Sequence, residues 1–536
     1  MKKLKLVCVA IAMAGAAPTF AGGLLTNTNQ HVAFNRMMSR EASIGIDGVY
    51  YNPAGVVFMG EGHHLAINWQ LAYQTRTINN DYKLFTNNVN NPITPRDFKG
   101  KAFAPVIPSF QYAYNKGKWS FQANFSLTGG GGKCTFDDGL GSFEKIVSET
   151  AIAACGLAGV VDQTLGNKLG QQGMEMFTSD QAFGKTGKYS FNSYMHGRQY
   201  YYGLSAGAAY KFCDNFSAFL GVRGVYALTN YYGYVENINV GNMPLYKVLD
   251  PTKENAANIE LSCDQTGVGF TPIIGVDYKT GRWNFSAKYE FKTRIRLKNK
   301  SVNQTPSIGN LPANLANQMT GILTARYQQA GLPLEQAKQQ AENTTNAVLN
   351  DPTVGATMIG LKTQFDQKLN KAIGEYEDGK KIAGDIPGYL ALGIGYSPVD
   401  AVRVNVGFHW FDDKNATSYN NRNKELKRGT LEYNAGVEVD VNKKITLSTG
   451  WQNTNYGLSD EYMDDKSFVV GSNSAAIGGV YHINKKMDLN VAYFHTFYQH
   501  KKTSETVQLA ADKSIVYNSD YTRNNNVFAV GLDINF

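Results

Sequence analysis

Residues 527–536, at the end of the chain, read Val-Phe-Ala-Val-Gly-Leu-Asp-Ile-Asn-Phe. Large apolar side chains, from Phe528 to Phe536, alternate with smaller or polar ones, from Val527 to Asn535. A period of two places these sets on opposite faces of a β-strand. One face of this strand is wholly apolar, which predicts either a membrane-facing strand or one strand of a secreted β-sandwich.

The same alternation returns along the chain, and this repetition separates the two interpretations. It occupies residues 119–127, 202–212, 283–291, 402–410 and 431–441. In a soluble barrel the polar faces would be outside, but here the apolar faces end in Trp, Tyr and Phe, as strands do at a membrane interface. The polar faces carry too many charges to form a packed core. The chain is therefore predicted to be an all-β membrane protein, a transmembrane β-barrel.

Composition agrees with a membrane barrel. Of 536 residues, 43% are hydrophobic and 18% are charged, whereas about 25% of residues are charged in soluble domains. The mean hydropathy is nevertheless -0.32, because Gly and uncharged polar residues fill the polar faces. With so little charge and a formal net charge of +8, the chain is not expected to bind nucleic acid.

The beginning of the chain predicts export. Lys2, Lys3 and Lys5 precede an apolar run, Leu6 to Ala17, and Ala21 is a small residue before Gly22. This order is typical of a secretory signal peptide over residues 1–21 that is removed from the mature protein. We expect the cell outer membrane of a Gram-negative bacterium, with the terminal Phe536 recognised by the barrel-assembly machinery.

Links between the predicted strands are of two kinds. Six short turns lie at residues 115–118, 213–215, 279–282, 398–400, 442–444 and 484–486, and seven long loops lie near residues 80–101, 129–198, 234–256, 300–385, 412–427, 456–473 and 500–524. Thirteen links, six short and seven long, join fourteen strands. Their alternation predicts a 14-stranded antiparallel barrel with short turns in the periplasm and long loops outside.

Two long loops carry helical periodicity, over about residues 139–180 and 306–380. Phe365, Leu369 and Ile373 share one helix face and are candidate apolar capture residues for a solute. Packing of the helices on one another is the alternative for this apolar face.

Residues 22–60 precede the first strand and lack alternation, so they need a place inside the barrel. They contain Asn52-Pro53-Ala54-Gly55, and Val106-Ile107-Pro108-Ser109-Phe110 and Asp385-Ile386-Pro387 follow later. With these motifs the chain resembles the FadL/TodX family of outer-membrane channels for hydrophobic compounds.

The resemblance implies an N-terminal hatch, residues 22–60, that plugs the lumen of a barrel formed by residues 61–536. It assigns gating to Asn52, Pro53, Ala54 and Gly55. It also implies an inward kink in the third strand that opens a lateral hole, for which Gly129–Gly132 is the candidate. We expect the Asn52 side chain to satisfy backbone groups that this distortion leaves unpaired near Asn124–Gly132.

Cations on the polar faces are candidates for holding the carboxylate of a ligand: Lys288, Arg294, Arg296, Arg403 and Arg223. The seventh strand, residues 288–300, is expected to present its cations on one lumen face. The alternative is ion pairing with Glu432, Glu438 and Asp440, together with an upper rim that binds lipopolysaccharide phosphates.

Catalytic chemistry is not expected. Ser205 lies in a G-x-S-x-G sequence but in mid-strand, where a nucleophile elbow cannot form, and the histidines lack paired metal-ligand spacing. We therefore predict no catalytic residue, no metal and no cofactor. Cys134 and Cys155 share one external loop, so a disulfide between them is expected.

The predicted function is a passive outer-membrane channel for hydrophobic small molecules, such as long-chain fatty acids or aromatic hydrocarbons. The hatch would gate it, and release could be lateral. The alternatives are a general polar-solute porin, which would need an open lumen, and a surface adhesin or receptor that uses the large extracellular loops.

Overall fold

The structure, a computed structural model, describes residues 24–171, 173–306, 308–510 and 513–536, without the side chains of residues 364–373 and 510. The expected signal peptide, residues 1–21, lies outside the described residues, as do the side chains of Phe365, Leu369 and Ile373.

The fold is a closed 14-stranded antiparallel β-barrel, as the alternation predicts. Its segments are β1 (Gly62–Tyr82), β2 (Arg96–Lys116), β3 (Trp119–Phe136), β4 (Tyr189–Cys213), β5 (Phe216–Val240), β6 (Met243–Pro244), β7 (Ile259–Thr280), β8 (Trp283–Glu290), β9 (Arg296–Gln304), β10 (Lys381–Ala383), β11 (Tyr389–Val399), β12 (Val402–Phe411), β13 (Thr430–Asn442), β14 (Ile445–Asn455), β15 (Ser472–Asn484), β16 (Met487–Tyr498), β17 (Lys501–Ala510) and β18 (Lys513–Asn535). The pairs β8/β9, β10/β11 and β16/β17 are each the lower and upper parts of one barrel strand, and β6 is a short addition beside β5.

The barrel closes where β1 pairs with β18, from His64 opposite Asn535 to Tyr82 opposite Tyr517. β4 and β5 have 25 residues each, whereas a tilted strand needs only about 9 to 11 residues to cross a bilayer. The wall therefore extends well beyond the membrane on the side of the long loops.

Side chains alternate between lipid and lumen. On β1, Trp69 is 42% exposed, whereas its neighbour Asn68 is 2% exposed and faces inward. This is the reverse of a soluble barrel, because the solvent of the outer face is lipid.

The six short turns join strands at one end of the barrel, between β2 and β3, β4 and β5, β7 and β8, β11 and β12, β13 and β14, and β15 and β16. One long loop was predicted wrongly. Residues 500–524 form β17 and the upper part of β18, which pair from Lys501 opposite Tyr521 to Ala510 opposite Lys513. β-branched and aromatic residues here extend the sheet above the membrane.

Helices occupy the hatch and the outer loops: α1 (Val32–Met37), α2 (Gly48–Tyr51), α3 (Gly141–Leu169), α4 (Tyr246–Leu249), α5 (Leu311–Gln329), α6 (Leu334–Leu349) and α7 (Pro352–Ile373). α3 is long and apolar enough to cross a membrane, but 56% of its most apolar 18-residue stretch is buried inside the protein. It packs against α6 and α7, and its Phe143, Val147 and Leu165 join a core with residues of α5 to α7 over the barrel mouth. In the described residues, the helices thus bury apolar faces on one another.

Candidate functional site

The barrel wall is interrupted between β2 and β3. The two strands pair from Gly100 opposite Phe136 to Phe103 opposite Lys133, and again from Phe110 opposite Phe125 to Lys116 opposite Trp119. Residues 104–109 and 126–132, between these ladders, have no partner across the two strands. We call this interruption the wall gap.

Glycines produce the wall gap. β3 remains paired with β4 but shifts register between Leu127 and Gly129 and again between Gly130 and Gly132. Extra residues of this kind bend a strand away from its neighbour. Gly130 and Gly131 have φ angles of 68° and 131°, which residues with a Cβ rarely adopt. The distortion therefore lies within Gly129–Gly132, the stretch that the sequence suggests.

The first residues of the hatch cover the wall gap from inside. The backbone N–H of Asn27 donates to the carbonyl of Thr128 at 2.9 Å, and its side-chain amide donates to the carbonyls of Gly130 at 2.7 Å and Leu127 at 3.2 Å. Gln30 donates to the Leu127 carbonyl at 2.8 Å. The carbonyls of β3 that lack a partner on β2 therefore accept hydrogen bonds from the hatch. Buried backbone groups need such partners.

Apolar residues connect the hatch to the wall gap. This group, the gap cluster, consists of Phe34, Met38, Tyr50 and Tyr51 of the hatch with Ala72, Ala104, Ile107, Leu127, Ala476, Phe494 and Val527 of the wall. Ala104, Ile107 and Leu127 lie at the edges of the gap itself. On the outer face of the same β2 segment, Val106 is 62% exposed toward lipid. Apolar side chains therefore lie on both the lumen face and the lipid face of the wall beside the gap.

The Asn-Pro-Ala-Gly motif binds the wall, but not where we expected. The Asn52 side chain donates to Asp277 of β7 at 2.6 Å, far along the sheet from the kinked part of β3. The carbonyl of Pro53 accepts from Gln122 at 2.7 Å, and that of Ala54 accepts from Ser217 at 2.7 Å. The predicted contact of Asn52 with the unpaired groups of β3 is wrong; Asn27 and Gln30 make it.

At Gly55 the chain passes too close to Asn52 and Asp277 for any larger residue. A Cβ there would lie 2.9 Å from the Asn52 Cγ and 3.0 Å from an Asp277 carboxylate oxygen. The motif therefore combines a wall contact at Asn52 with a close approach at Gly55 that leaves no room for a Cβ.

Buried charges hold the rest of the hatch. Arg36 pairs with Glu438 of β13, and Arg40 pairs with Asp47 inside the hatch at 2.7 Å. His409 of β12 lies between Glu41 of the hatch and Glu432 of β13, with its ring nitrogens 2.7 Å and 2.9 Å from their carboxylate oxygens. Sequence reasoning missed the links from Arg36 and Glu41 to the wall, because partners hundreds of residues apart have no local pattern.

Lys288 and Arg223 face the lumen and share one carboxylate, that of Glu290. Arg223 donates twice to Glu290, at 2.5 Å and 3.0 Å, and Lys288 donates to Glu290 at 2.9 Å. Lys288 also donates to the carbonyl of Tyr50 at 2.6 Å. These two cations therefore form a buried group that holds α2 of the hatch.

Arg294 and Arg296 do not share that face. The barrel strand breaks between Glu290 and Arg296, and the side chains below and above the break point to opposite sides, so Ile295 and Leu297 are buried and both arginines are exposed. A one-residue slip has this effect because the side-chain period of a strand is two. The prediction of a single cationic lumen face is wrong for residues 294–300.

Arg403 lies near the short turns and fits the ion-pair alternative. It donates to Glu438 at 2.7 Å and to Asp440 at 2.7 Å and 2.5 Å. A cavity of about 640 Å³ beside it reaches Arg40 and Ser43 of the hatch. This cavity lies below the hatch.

The expected disulfide is absent. Cys134 and Cys155 are free thiols; Cys134 is buried on β3, whereas Cys155 lies on α3 and donates to the carbonyl of Phe183 at 3.4 Å. A shared loop in sequence did not bring the two side chains together, because β3 continues to Phe136 and carries Cys134 into the wall.

Above the hatch lies a second cavity, of about 470 Å³, lined by Leu24, Leu25 and several tyrosines. Asp413 and Glu375 also line it. The Asp413 carboxylate accepts from the N–H groups of Thr430 at 2.9 Å and Leu24 at 3.3 Å, and burial raises its pKa to about 6. Burial likewise raises the pKa of Glu375 to about 7. The cavity connects the outer loops with the beginning of the hatch.

Known structures share this architecture. A Pseudomonas aeruginosa FadL homologue superposes with a TM-score of 0.58 at 13% identity, over 96% of this chain and 100% of that one. The chain has the FadL/TodX fold. A TodX deltaS2S3 mutant, described as a monoaromatic hydrocarbon channel, superposes with a TM-score of 0.50 at 13% identity, over 94% of this chain and 99% of that one. No protein-family model and no curated protein sequence matches the chain.

In this FadL/TodX fold, the described residues contain no group of three His, Cys, Asp or Glu side chains arranged to hold a metal. Ser205 lies in mid-strand on β4, where its hydroxyl accepts from the Arg223 Nε at 3.1 Å.

Proposed function

We propose that the protein is a passive channel in the outer membrane of a Gram-negative bacterium and takes up hydrophobic small molecules, such as long-chain fatty acids or aromatic hydrocarbons. A solute would leave water at the outer loops, enter the lumen above the hatch, and pass through the wall gap into the membrane. The two structural neighbours, a FadL homologue and a monoaromatic hydrocarbon channel, support this class of solute.

The gap cluster is the observation that supports the proposal most directly. Ala104, Ile107 and Leu127 at the gap edges continue an apolar surface that begins inside the lumen, and Val106 faces lipid on the outer side. An apolar solute that follows this surface keeps its apolar area out of water, which is favourable by about 25 cal/mol per Å². A polar solute would gain nothing from such a route.

The hatch argues against a general polar porin. Its residues 26–42 are buried in the lumen, and Arg36, Glu41 and Asn52 tie it to three different wall strands. A polar porin needs an open, water-filled lumen. An adhesin or receptor would use the outer loops alone, and its activity would not depend on the wall gap.

Blocking the gap tests the proposal. Uptake of radiolabelled dodecanoate and toluene is measured in a Gram-negative host that lacks its own channel of this kind. We expect Ile107→Trp, which adds bulk at the inner edge of the gap, to lower uptake to the background of cells without the protein. Val106→Trp, one residue away on the lipid face, is the matched control and should transport normally at equal surface abundance.

Normal uptake by Ile107→Trp would refute the lateral route. Uptake by the unaltered protein that does not exceed background for either solute would refute the channel function itself.

Two partners follow from the same proposal. Phe536 is 59% exposed beside β1, with its ring 5.6 Å from that of His63, and it would be available to the barrel-assembly machinery. The exposed cations Arg294, Lys298 and Lys300 on the outer wall would contact lipopolysaccharide phosphates.

A further inference from the structure

Three cations lie together on the outer face of the wall, directly above the wall gap. Lys133 of β3 is opposite Phe103 of β2, in the last pair before that ladder breaks. It is also opposite Arg198 of β4. Lys101 of β2 is exposed on the same face, two residues from Phe103 toward the long loop. Opposite Cβ atoms on neighbouring strands are about 5 Å apart and diagonal ones about 7 to 8 Å, so the three cations form one patch, which we call the cation triplet.

The cation triplet has no counter-ion of its own. Among the described residues, the nearby Lys99 forms an ion pair with Asp97 at 3.3 Å, whereas Lys101, Lys133 and Arg198 form none. The Arg198 Nε is buried and has no hydrogen-bond partner within the same part of the chain. Like charges directly opposite each other on neighbouring strands are destabilising. The patch is therefore suited to an anion from outside the chain.

Exposed apolar side chains lie below the cation triplet, on the side of the short turns. On β2, Phe103 is 54% exposed and Val106 is 62% exposed. On β4, Leu204 is 63% exposed and is opposite Phe125, the first residue of β3 below the wall gap that pairs with β2 again. Leu204 is six residues from Arg198, about 20 Å along the strand. A molecule whose anionic group lies on the triplet can therefore place apolar chains over the lipid face of the gap.

Aromatic rings lie above the cation triplet, on the side of the long loops. His196 and Tyr194 of β4 are two and four residues from Arg198. They are directly opposite Tyr232 and Tyr234 of β5. The ring centroids of Tyr194 and Tyr234 are 5.7 Å apart, and those of His196 and Tyr232 are 5.6 Å apart. These four half-buried side chains, the aromatic row, combine apolar ring faces with polar edges, which suits the C–H faces and hydroxyl groups of sugars.

The cation triplet is separate from the exposed cations of β9. In one row across the sheet, Arg198 is followed by Asn230 of β5, Asp264 of β7 and Lys300 of β9. The side-chain amide of Asn230 donates to Asp264 at 2.8 Å. An amide and a carboxylate thus end the positive patch before β9 begins. Of the two groups of cations, the triplet is the one beside the wall gap.

We propose that the cation triplet and the aromatic row are a docking site for one molecule of lipopolysaccharide, the phosphorylated glycolipid of the outer leaflet. Its phosphates bind the triplet, its inner sugars lie on the aromatic row, and its acyl chains lie over the lipid face of the wall gap. Lipopolysaccharide carries several phosphates between its acyl chains and its sugars, which is the order of cations, apolar side chains and rings on the wall. A phospholipid has no sugar for the aromatic row. This inference rests on the proposed location in the outer membrane.

The test counts bound lipid. Native mass spectrometry of the mature full-length protein in a neutral detergent measures its affinity for purified rough lipopolysaccharide, which carries the inner sugars. We expect the triple variant Lys101→Gln/Lys133→Gln/Arg198→Gln to weaken binding by about 10- to 100-fold, the loss that follows from removing hydrogen bonds between charged groups. Enzymatically dephosphorylated lipopolysaccharide should bind the unaltered protein about as weakly as the intact form binds the variant.

The matched control removes three cations from the other end of the same part of the wall. Lys116→Gln/Lys118→Gln/Lys211→Gln changes the charge equally, at the short turns of β2, β3 and β4, and should leave the affinity unchanged. Equal heat-modifiable mobility on gels verifies that every variant is folded.

A second variant tests the sugar contact. Tyr194→Ala/Tyr234→Ala should weaken binding of rough lipopolysaccharide by about 2- to 10-fold. Binding of lipid A, which has the phosphates and acyl chains but not the inner sugars, should change by less than about twofold. Equal losses for the two lipids would overturn the role of the aromatic row.

Four results would overturn the docking site: an unchanged affinity in the triplet variant, an equal loss in the control variant, equal affinity of the unaltered protein for phosphatidylglycerol, or displacement of lipopolysaccharide by inorganic phosphate at equal concentration. The third would mean that any anionic lipid is held, and the fourth that only a small anion is. Dodecanoate uptake separates this site from the channel function. If the affinity does not depend on the triplet but uptake proceeds, the site alone fails. If the affinity depends on the triplet but the unaltered protein takes up no solute, the channel function alone fails.

Discussion

Replacement of Asn27 by alanine should loosen the hatch at the wall gap. The Asn27 side chain donates to the carbonyls of Gly130 at 2.7 Å and Leu127 at 3.2 Å, and alanine removes both bonds. Leu127 keeps a donor in Gln30, so only the Gly130 carbonyl loses its partner. A buried carbonyl without a partner costs about 1 to 3 kcal/mol. The population with a detached hatch end should rise by about 5- to 140-fold.

Hydrogen exchange measures this change. In nanodiscs, Asn27→Ala should speed amide exchange both in the hatch, residues 24–30, and in the bent part of β3, residues 126–132. Asn29→Ala is the matched control, since the Asn29 side chain donates to Gln70 of β1 at 3.1 Å and not to β3. It should speed exchange in the hatch alone.

Two results would contradict this role of Asn27. One is equal exchange of residues 126–132 in Asn27→Ala and in the unaltered protein, and the other is that Asn29→Ala speeds exchange in β3 as much as Asn27→Ala does. Either result would mean that the hatch does not supply the partners that β3 lacks.

Three other perturbations have defined outcomes. Glu290→Gln leaves Arg223 and Lys288 without their carboxylate and should destabilise the protein by about 3 to 5 kcal/mol, measured as thermal unfolding in detergent; equal stability would contradict the buried ion group. Removal of residues 24–50 should raise ion conductance in planar bilayers, because the hatch and not the wall closes the lumen; unchanged conductance would contradict this. Burial raises the pKa of Glu375 from 4.5 to about 7, so its stabilisation of the outer loops is complete below about pH 4.5 and is lost as the pH rises through 7. Amide hydrogen exchange near Glu375, after correction for the intrinsic dependence of exchange on pH, should be slower at pH 5 than at pH 8. The variant Glu375→Gln should remove most of that difference.

Period-two patterns predicted the barrel because they depend only on neighbouring residues. In residues 431–441 each inward side chain is polar and each outward one is apolar, and β13 has this arrangement. The break between Glu290 and Arg296 was missed, since the charges alternate evenly across it in the sequence. The length of β18 was also missed, because above the membrane the outer face no longer has to be apolar.

The contacts of the candidate site were predicted less well than the barrel, because they depend on residues that are distant in the sequence. The motif at Asn52 correctly indicated a contact between hatch and wall. Its partner is Asp277 because β7 is the strand that faces the motif across the lumen. Local sequence does not show which strand that is. A lumen cation likewise gives no sign of whether a carboxylate lies beside it. Lys288 bonds a carboxylate, whereas the terminal nitrogens of Arg76 on β1 have no hydrogen-bond partner among the described residues, although both are single basic residues on polar strand faces.

Two parts of the hatch are held by bonds of unequal strength, and we propose that this difference decides how the hatch opens. Residues 26–30 are held to β1, β2 and β3 by neutral hydrogen bonds, each contributing about 1 kcal/mol net. Arg36 and Glu41 are held by buried ion pairs, and breaking one of these pairs costs about 3 to 5 kcal/mol. A single neutral bond therefore breaks more easily than an ion pair, and we propose that residues 26–30 loosen bond by bond while the ion-paired part remains in place. Because residues 26–30 lie against the wall gap, we propose that this motion opens the lumen toward the membrane and leaves the path to the periplasm closed.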